Sequence, residues 1–290
     1  MTSELITSAS NPRVKFAASL REAKGRRRHD RFLIDGTRNI AIALAAGVQC
    51  TEIFIPAQAW ESPTRELLAI LPKSASSMKP ASSMDEPSHG IRWTRLSEIP
   101  MRKLQYGEQD QQAIAMAIPP QTTLESLPSR IQTSSGAPGH ELYLVLDRLE
   151  KPGNLGAAMR TADAAGATAV LLSDPTAEVW NPNAIRASLG AMFTVPIAIG
   201  NWQDLFQWLM KRSVQCLAAR TENGKPYSQI QFPNKTAIVI GSEANGLEDR
   251  WQAEEILPVH IPMFGKIDSL NASVTGSILL FEVIRQWQST

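Results

Sequence analysis

Cysteine and histidine are scarce in this chain of 290 residues. Its two cysteines, Cys50 and Cys216, lie far apart and its four histidines are scattered, so no CxxC or HxxxH pattern occurs. This spacing argues against a zinc or iron–sulfur site and gives no disulfide framework. Because sparse free cysteines are typical of a reducing compartment, we expect a cytoplasmic protein without a bound metal.

Long apolar runs are missing too. The hydrophobic stretches are shorter than the ~20 residues that cross a bilayer, and residues 1–11 lack the apolar core of a signal peptide. The phosphate-binding patterns GxGxxG and GxxxxGKS/T are absent, and no Ser-His-Asp set is evident. We therefore expect no membrane partner, and neither a dinucleotide, a P-loop nor a serine-hydrolase site.

Acidic and basic residues balance over the whole chain but not along it. Lys and Arg number 29 and Asp and Glu 28, whereas residues 1–40 hold nine basic and four acidic residues. Six of these cations fall within residues 21–31, a density typical of a phosphate-binding surface and also of a plain solvated face. They are Arg21, Lys24, Arg26, Arg27, Arg28 and Arg31.

Predicted strands alternate with predicted helices in both halves of the chain. In the first half the sequence predicts strands at 32–34, 52–55, 91–94 and 113–118 and helices at 38–46 and 63–71. In the second half it predicts strands at 142–146, 169–172, 214–219 and 237–240 and helices at 154–165, 202–211 and 272–287. This alternation indicates an α/β fold with largely parallel or mixed sheets, in which ligands bind at the carboxyl ends of strands.

Two stretches without large apolar groups divide the chain. Residues 73–90, rich in Ser, Ala and Pro, predict a disordered insertion, because they bury too little surface to offset the entropy of ordering. Residues 119–139, rich in Pro, Ser and Gly, predict a linker. The sequence therefore predicts one domain at 1–118 and a second at 140–290.

Three glycine-bearing loops follow strands in the second half. Residues 151–156 open the helix that carries Arg160, and a helix N-terminus attracts polar or anionic atoms. The two glycines of residues 241–246 allow backbone to approach a flat ligand closely. Residues 261–265 lead into 269–271, where Ser and Asn are both good helix caps. Each loop alone is also compatible with an ordinary turn, a solvated side chain or a cap.

In their order and spacing the three loops resemble the motifs of the SpoU (TrmH-like) RNA 2′-O-ribose methyltransferases of the SPOUT superfamily. The resemblance extends over residues 142–287 and rests on 154–162, on 241–246 and on 261–263 together with 269–274. The first half resembles, more loosely, the family's ribosomal-protein-like substrate-binding domain, through residues 10–15 and 32–36.

The resemblance implies a trefoil-knotted α/β domain that binds S-adenosylmethionine, needs no metal and forms a homodimer, preceded by a smaller α/β RNA-binding domain. The implied cofactor-binding residues are Gly241, Gly246, Ile261, Met263 and Leu270. The implied polar catalytic set is Asn154, Arg160, Glu243, Ser269 and Asn271. In this context the six cations of residues 21–31 become predicted RNA contacts.

The implied reaction is methyl transfer to a ribose 2′-hydroxyl, and the extra domain favours large-subunit rRNA as the target by analogy. A tRNA ribose methyltransferase, a base-methylating SPOUT enzyme and an RNA-binding assembly factor without turnover stay open as alternatives. Arginine, with a pKa of ~12.5 or more, is a poor general base. We therefore expect Arg160 to be a fixed cation that stabilises the developing alkoxide or a phosphate, with Asn154 and Glu243 positioning it and the ribose.

The last predicted helix, 272–287, is expected to have an apolar face that includes Val274, Ile278, Phe281 and Ile284. Its first turns are rich in small residues, which would let a partner's backbone approach closely. We therefore expect the homodimer to form through this helix, with large apolar contacts from Phe281 and Trp287. Packing of the helix only on its own sheet is the alternative.

Overall fold

Two sheets, one in each half of the chain, organise the fold. The computed structural model describes residues 5–61, 70, 90–106, 113–131, 139–221, 224–242, 244 and 246–289. The chain divides into one unit of residues 1–120 with 180–182, and a second of residues 121–179 with 183–290. No helix among the described residues combines the length and the apolar character that a membrane crossing requires.

Three stretches discussed above fall wholly or partly outside the described residues. The predicted insertion at 73–90 does so except for Gly90, and the predicted helix at 63–71 does so except for Ile70. Of the predicted linker, residues 132–138 lie outside, but the part before them packs on the second unit. There Leu127 is fully buried in the core of that unit.

The first unit contains a five-stranded mixed sheet in the order β1-β4-β3-β5-β2, in which β5 runs antiparallel to β2 and β3. The strands are β1 (Leu5–Ile6), β2 (Phe32–Asp35), β3 (Cys50–Pro56), β4 (Arg92–Leu96) and β5 (Ile114–Ala117). The helices are α1 (Pro12–Ser19), α2 (Ala23–His29), α3 (Thr37–Ala45), α4 (Ala57–Glu61) and α5 (Glu98–Leu104). The predictions for β2, β3, β4, β5 and α3 are confirmed to within two residues at each end.

Helices α1 and α2 were not predicted, although α1 has a clear start signal. The Asn11 side chain accepts a hydrogen bond from the Arg13 N–H at 2.9 Å, and Pro12 occupies the first helical position. Helix α2 has no comparable signal, because its run of cations has no apolar spacing. Arg26 is the one residue of α2 that is buried.

Three of the six cations at 21–31 use their guanidinium groups inside the first unit; Arg31 does so at the surface, where it donates to the Asp30 carbonyl at 2.8 Å. Arg21 forms two hydrogen bonds to the Asp35 carboxylate, at 2.6 and 2.5 Å. Arg26 is 5% exposed and donates to the carbonyls of Leu20 and Arg21 at 2.8 and 2.7 Å. Charge density alone could not distinguish these residues from their exposed neighbours, because the apolar stem of arginine is readily buried.

The second unit contains a seven-stranded parallel sheet in the order β10-β12-β9-β11-β6-β7-β8. Its strands are β6 (Glu141–Asp147), β7 (Ala169–Ser173), β8 (Ile197–Gly200), β9 (Gln215–Ala219), β10 (Lys225–Pro226), β11 (Lys235–Ile240) and β12 (Ile256–His260). The helices along this part are α6 (Leu127–Arg130), α7 (Pro152–Ala164), α8 (Pro182–Ser188), α9 (Ala191–Thr194), α10 (Trp202–Lys211) and α11 (Ala272–Trp287). The fold class is confirmed as α/β; the knot stays a prediction.

Strand β11 occupies the centre of this sheet. It pairs with β6 along its whole length and with β9 on its other side. Residues 142–146 of β6 and 237–240 of β11 are continuous apolar runs, as expected where a parallel sheet is covered on both faces. Residues Leu142 to Leu146 are at most 1% exposed.

Helix α11 has the predicted bounds, and part of its expected apolar face lies at the surface. Leu279, Leu280 and Val283 are buried, whereas Val274 and Phe281 of the expected face are 44% and 46% exposed. Gly276 is buried too, and a Cβ there would make ordinary van der Waals contact with Leu144 Cδ1 at 3.6 Å. The small-residue end of α11 therefore packs within its own unit.

The two environments of Arg26 and Arg27 generate a stability prediction. Arg26→Gln removes hydrogen bonds to two backbone carbonyls at a buried position, and we expect it to lower the free energy of unfolding by about 1–3 kcal/mol. Arg27→Gln, at an exposed position of the same helix, should change it by no more than about 0.5 kcal/mol. Urea unfolding followed by circular dichroism measures both. Equal effects of the two substitutions would contradict the burial of Arg26.

Candidate active site

The carboxyl ends of β9, β11 and β12 open into a cavity of about 450 Å³, within the size range of small-molecule sites. The first turns of α11 close one side of it. Its lining comprises Ala219, Arg220, Thr221, Ile240, Gly241, Ser242, Ala244, Gly246, Leu247, Val259, Ile261, Met263, Asp268, Ser269, Leu270, Ala272, Thr275 and Leu279.

All five predicted cofactor residues line this cavity. Gly241 and Gly246 belong to the loop after β11, Ile261 and Met263 follow β12, and Leu270 precedes α11. The strand order therefore gathers residues that are up to 29 positions apart in the sequence. Their assignment to a particular ligand stays a prediction, taken up below.

The loop after β11 is closed by its own backbone. The Gly246 N–H donates to the Ser242 carbonyl at 2.9 Å, and the Ser242 N–H donates to the Gly246 carbonyl at 3.2 Å. A Cβ at Gly241 would lie 2.2 Å from the carbonyl carbon and oxygen of Gly246. The loop itself therefore requires a glycine at 241, a different reason from the close approach of a ligand that the sequence suggested.

Two members of the predicted catalytic set are in contact. The Asn271 amide nitrogen donates to the side-chain oxygen of Asn154 at 3.2 Å. Asn271 also caps α11, because its side-chain oxygen accepts from the Ser273 N–H at 2.9 Å and the Ser273 hydroxyl at 2.6 Å. The N-terminal turns of α7 and α11 thus meet beside the cavity, with Ser269 on its lining. Glu243 lies outside the described residues.

Arg160 is the member of the set that the fold does not bring to the cavity. It follows Asn154 by six residues on α7, which separates the two by about 9 Å along the helix axis and about 120° around it. The side chain is exposed, and it forms no hydrogen bond or ion pair with any residue that the structure describes. Within one chain, Arg160 and the cavity are separate.

Sequence reasoning missed Arg220 and Thr221. They follow the predicted strand at 214–219, so their position at the carboxyl end of a strand was the available signal. Arg220 lines the cavity and also donates to the carbonyls of Leu247 and Glu248 at 3.4 and 3.3 Å. Asp268, also on the lining, carries the opposite charge.

The remaining reactive and charged groups lie apart from the cavity lining. Both cysteines are buried, and burial raises the pKa of the Cys50 and Cys216 thiols to about 12, so both thiols are neutral at physiological pH. Of the six predicted RNA contacts, Lys24, Arg27 and Arg28 are exposed and Arg31 is partly exposed. The pairing of Arg21 and Arg26 inside their own unit removes them from that surface.

Comparison with protein-family models gives two matches. Residues 141–281 match the SpoU rRNA Methylase family. Residues 11–115 match the MRM3-like substrate binding domain. The two matches correspond to the two halves of the chain in which the sequence predicted a catalytic and an RNA-binding part.

Whole-chain relatives point the same way. The 23S rRNA (guanosine(2553)-2′-O)-methyltransferase RlmP of Bacillus subtilis is 28% identical, over 96% of this chain and 98% of its own. A crystal structure of an RNA 2′-O ribose methyltransferase is 31% identical with a TM-score of 0.74, over 98% of this chain and 99% of that chain. An AdoMet-bound rRNA methyltransferase from Sinorhizobium meliloti is 26% identical with a TM-score of 0.78, over 98% of both chains. The chain belongs to the SpoU rRNA methylase family.

Proposed function

We propose that this protein transfers the methyl group of S-adenosylmethionine to a ribose 2′-hydroxyl of RNA, with large-subunit rRNA as its substrate. The observation that carries the proposal is the cavity at the carboxyl ends of β9, β11 and β12, lined by all five predicted cofactor residues and adjoined by the paired amides of Asn154 and Asn271. Because rRNA and free cysteines belong to the same reducing compartment, we place the reaction in the cytoplasm.

The lining of the cavity fits S-adenosylmethionine. Leu247, Leu270 and Leu279 offer apolar contact for the adenosyl group. Arg220 and Asp268 supply one charge of each sign, which matches the carboxylate and the ammonium of the methionine end. When bound, the cofactor supplies an electrophilic methyl group on a sulfonium.

The chain's own residues have to orient the ribose. Asn271 is held by the cap of α11 and by Asn154, so both amides present fixed donors and acceptors beside the cavity. Fixed polar groups of this kind align a hydroxyl with the methyl group and save the entropy of that alignment at the moment of reaction. A cation near the hydroxyl stabilises the negative charge that develops on its oxygen, and Arg160 is assigned that role.

The homodimer is part of the proposal, and it supplies Arg160 from the other protomer. Arg160 is exposed and does not line the cavity of its own chain. Val274 and Phe281 leave an exposed apolar stripe on α11, and α7 is joined to α11 by the Thr161 and Ser277 hydroxyls at 2.8 Å. A second copy that packs on this stripe meets the helix pair that carries Arg160, as a self-complementary two-fold interface allows.

The first unit is assigned to RNA docking. Lys24, Arg27, Arg28 and Arg31 remain available on its surface. Exposed arginine and lysine of this density bind phosphates by releasing counterions, and they steer RNA without reading its sequence. The exposed part of the basic segment therefore supports a docking role, with target choice left to other contacts.

Methyl transfer to defined RNAs tests the proposed function. Protein incubated with labelled S-adenosylmethionine and either deproteinised large-subunit rRNA or tRNA should label the rRNA, and nucleoside mass spectrometry should identify one 2′-O-methylnucleoside. Asn154→Ala should lower the rate by about 10²-fold or more, because it removes a group that orients the ribose. Label in a base, label in tRNA alone, or RNA binding without transfer would each overturn the proposal.

Gly241 gives a prediction for cofactor binding. Gly241→Ala should abolish measurable S-adenosylmethionine binding, because the added Cβ meets the Gly246 backbone and displaces the wall of the cavity. Gly265→Ala is the matched control: it lies in the neighbouring loop, and no atom lies within 4 Å of its added Cβ. Calorimetry should give wild-type affinity for the control. Wild-type affinity in Gly241→Ala would refute the assignment of the loop.

Mixed dimers test where Arg160 acts. Arg160→Ala and Gly241→Ala should each be inactive alone. After the two are mixed and subunits exchange, hybrid dimers contain one complete site if Arg160 crosses the interface, which restores about a quarter of wild-type activity. Light scattering confirms that each variant remains dimeric. No recovery in verified hybrid dimers would mean that Arg160 serves its own chain.

A further inference from the structure

An arginine beyond the cavity joins the wall of the cavity to the ends of two strands. We use the name cofactor loop for the segment from Gly241 to Arg250, in which residues 241, 242, 244, 246 and 247 line the cavity. At its end, Arg250 donates from Nη2 to Asp147 Oδ1 at 2.7 Å and from Nη1 to Asp174 Oδ2 at 2.8 Å. Asp147 is the last residue of β6, and Asp174 directly follows β7.

Because Asp147 is buried, its carboxylate needs a charged partner. Asp147 is 1% exposed, and its second oxygen accepts no hydrogen bond from the described residues, so Arg250 is its charged partner. Removing one partner of a buried ion pair leaves an uncompensated charge, which is strongly unfavourable. The guanidinium is therefore held firmly at this place.

Both carboxylates are themselves fixed by the fold. Asp174 Oδ2 also accepts from the Trp202 N–H at the start of α10, at 3.2 Å. Asp174 adopts a left-handed backbone conformation with φ +43°, and Arg148, directly after Asp147, does so with φ +52°. Such conformations outside glycine persist where the surroundings enforce them. The ends of β6 and β7 therefore offer Arg250 two carboxylates whose positions are fixed by the fold.

The cofactor loop is also held from other sides just before Arg250. Arg220 donates to the carbonyls of Leu247 and Glu248, and Arg148 forms an ion pair with Glu248. In contrast, the earlier part of the loop is closed on itself through Ser242 and Gly246. Gly246 is thus held within the loop, whereas Leu247 and Glu248 are held by contacts with residues outside it.

We propose that Arg250 is a positioning residue for S-adenosylmethionine: its hydrogen bonds to Asp147 and Asp174 fix the cofactor loop in the position where Gly246 and Leu247 line the cavity. Within the loop, Arg250 Nε also lies 3.5 Å from Glu248 Oε2. The proposal rests on the proposed function. Because β6 ends at Asp147 and leads into α7, the same ion pair links the cofactor wall to the connection that precedes α7, the helix that carries Asn154. Arg250 is not among the residues that line the cavity, so it acts through the loop.

A double variant separates positioning from plain stability. Arg250→Met leaves Asp147 buried without its partner and should lower the melting temperature by about 6–20 °C. Adding Asp147→Asn removes the buried charge and should recover most of that loss. If Arg250 positions the loop, S-adenosylmethionine affinity stays weakened by about tenfold or more in both variants, while kcat at saturating cofactor changes by less than about threefold.

Two further variants complete the test. Arg250→Lys keeps the charge but loses the fork that reaches two carboxylates, so we expect near-normal stability with an intermediate affinity. Arg186→Met removes an exposed arginine of the same unit whose side chain contacts no described residue through a hydrogen bond or ion pair, and it should leave both stability and affinity unchanged. Calorimetry is run at a temperature where circular dichroism shows every variant to be folded.

The outcomes are distinguishable. Affinity that recovers together with the melting temperature in Arg250→Met/Asp147→Asn would reduce Arg250 to a structural ion pair and overturn this proposal alone. Wild-type protein that fails to bind S-adenosylmethionine at all would instead overturn the proposed function.

Discussion

The pairing of β11 between β6 and β9 is the constraint on which the rest of the site depends. All three strands are parallel, and Ile240 at the end of β11 lies opposite Leu146 of β6. The chain segments that leave these strands therefore emerge at one edge of the sheet, although they are distant in sequence. Were β11 elsewhere in the sheet, its glycine loop could not face Arg220 on one side and Asp147 on the other.

At this edge of the sheet, Gly241 and the two arginines, Arg220 and Arg250, have different structural roles. Gly241 allows the loop to fold back on its own backbone, which shapes the wall of the cavity. Arg220 and Arg250 then hold the end of the loop, one through backbone carbonyls and the other through carboxylates. The wall of the cavity is thus shaped by contacts within the protein, and groups held in this way can align the reacting atoms.

Much of the fold could be predicted from sequence, and the failures have identifiable causes. Helices α10 and α11 have the predicted bounds, because their apolar residues recur with helical spacing. Helical spacing identifies an apolar face of α11, but it does not show which of its residues pack within the chain: Val274 and Phe281 are exposed. Strand β12 was not predicted as a strand; its Leu257 is 43% exposed and Pro258 interrupts the pattern.

The candidate site was predicted through motif resemblance rather than through periodicity. The loops after β11 and β12 contain the five predicted cofactor residues, all of which line one cavity. Arg220 and Arg250 were missed because their importance lies in tertiary contacts, which single-sequence patterns do not contain. The buried Arg26 shows the same limit. The density of positive charge can be read from the sequence, but it does not predict which of the cationic side chains are exposed.

The central claim is that the edge formed by β9, β11 and β12 is the cofactor site, and hydrogen–deuterium exchange with and without S-adenosylmethionine tests it most directly. A ligand stabilises the amides of the segments that it contacts against local opening. The account predicts slower exchange on binding at residues 219–221, 241–247 and 261–270, with the first unit unchanged. Protection concentrated at the ends of β7 and β8, or in the first unit, would contradict it.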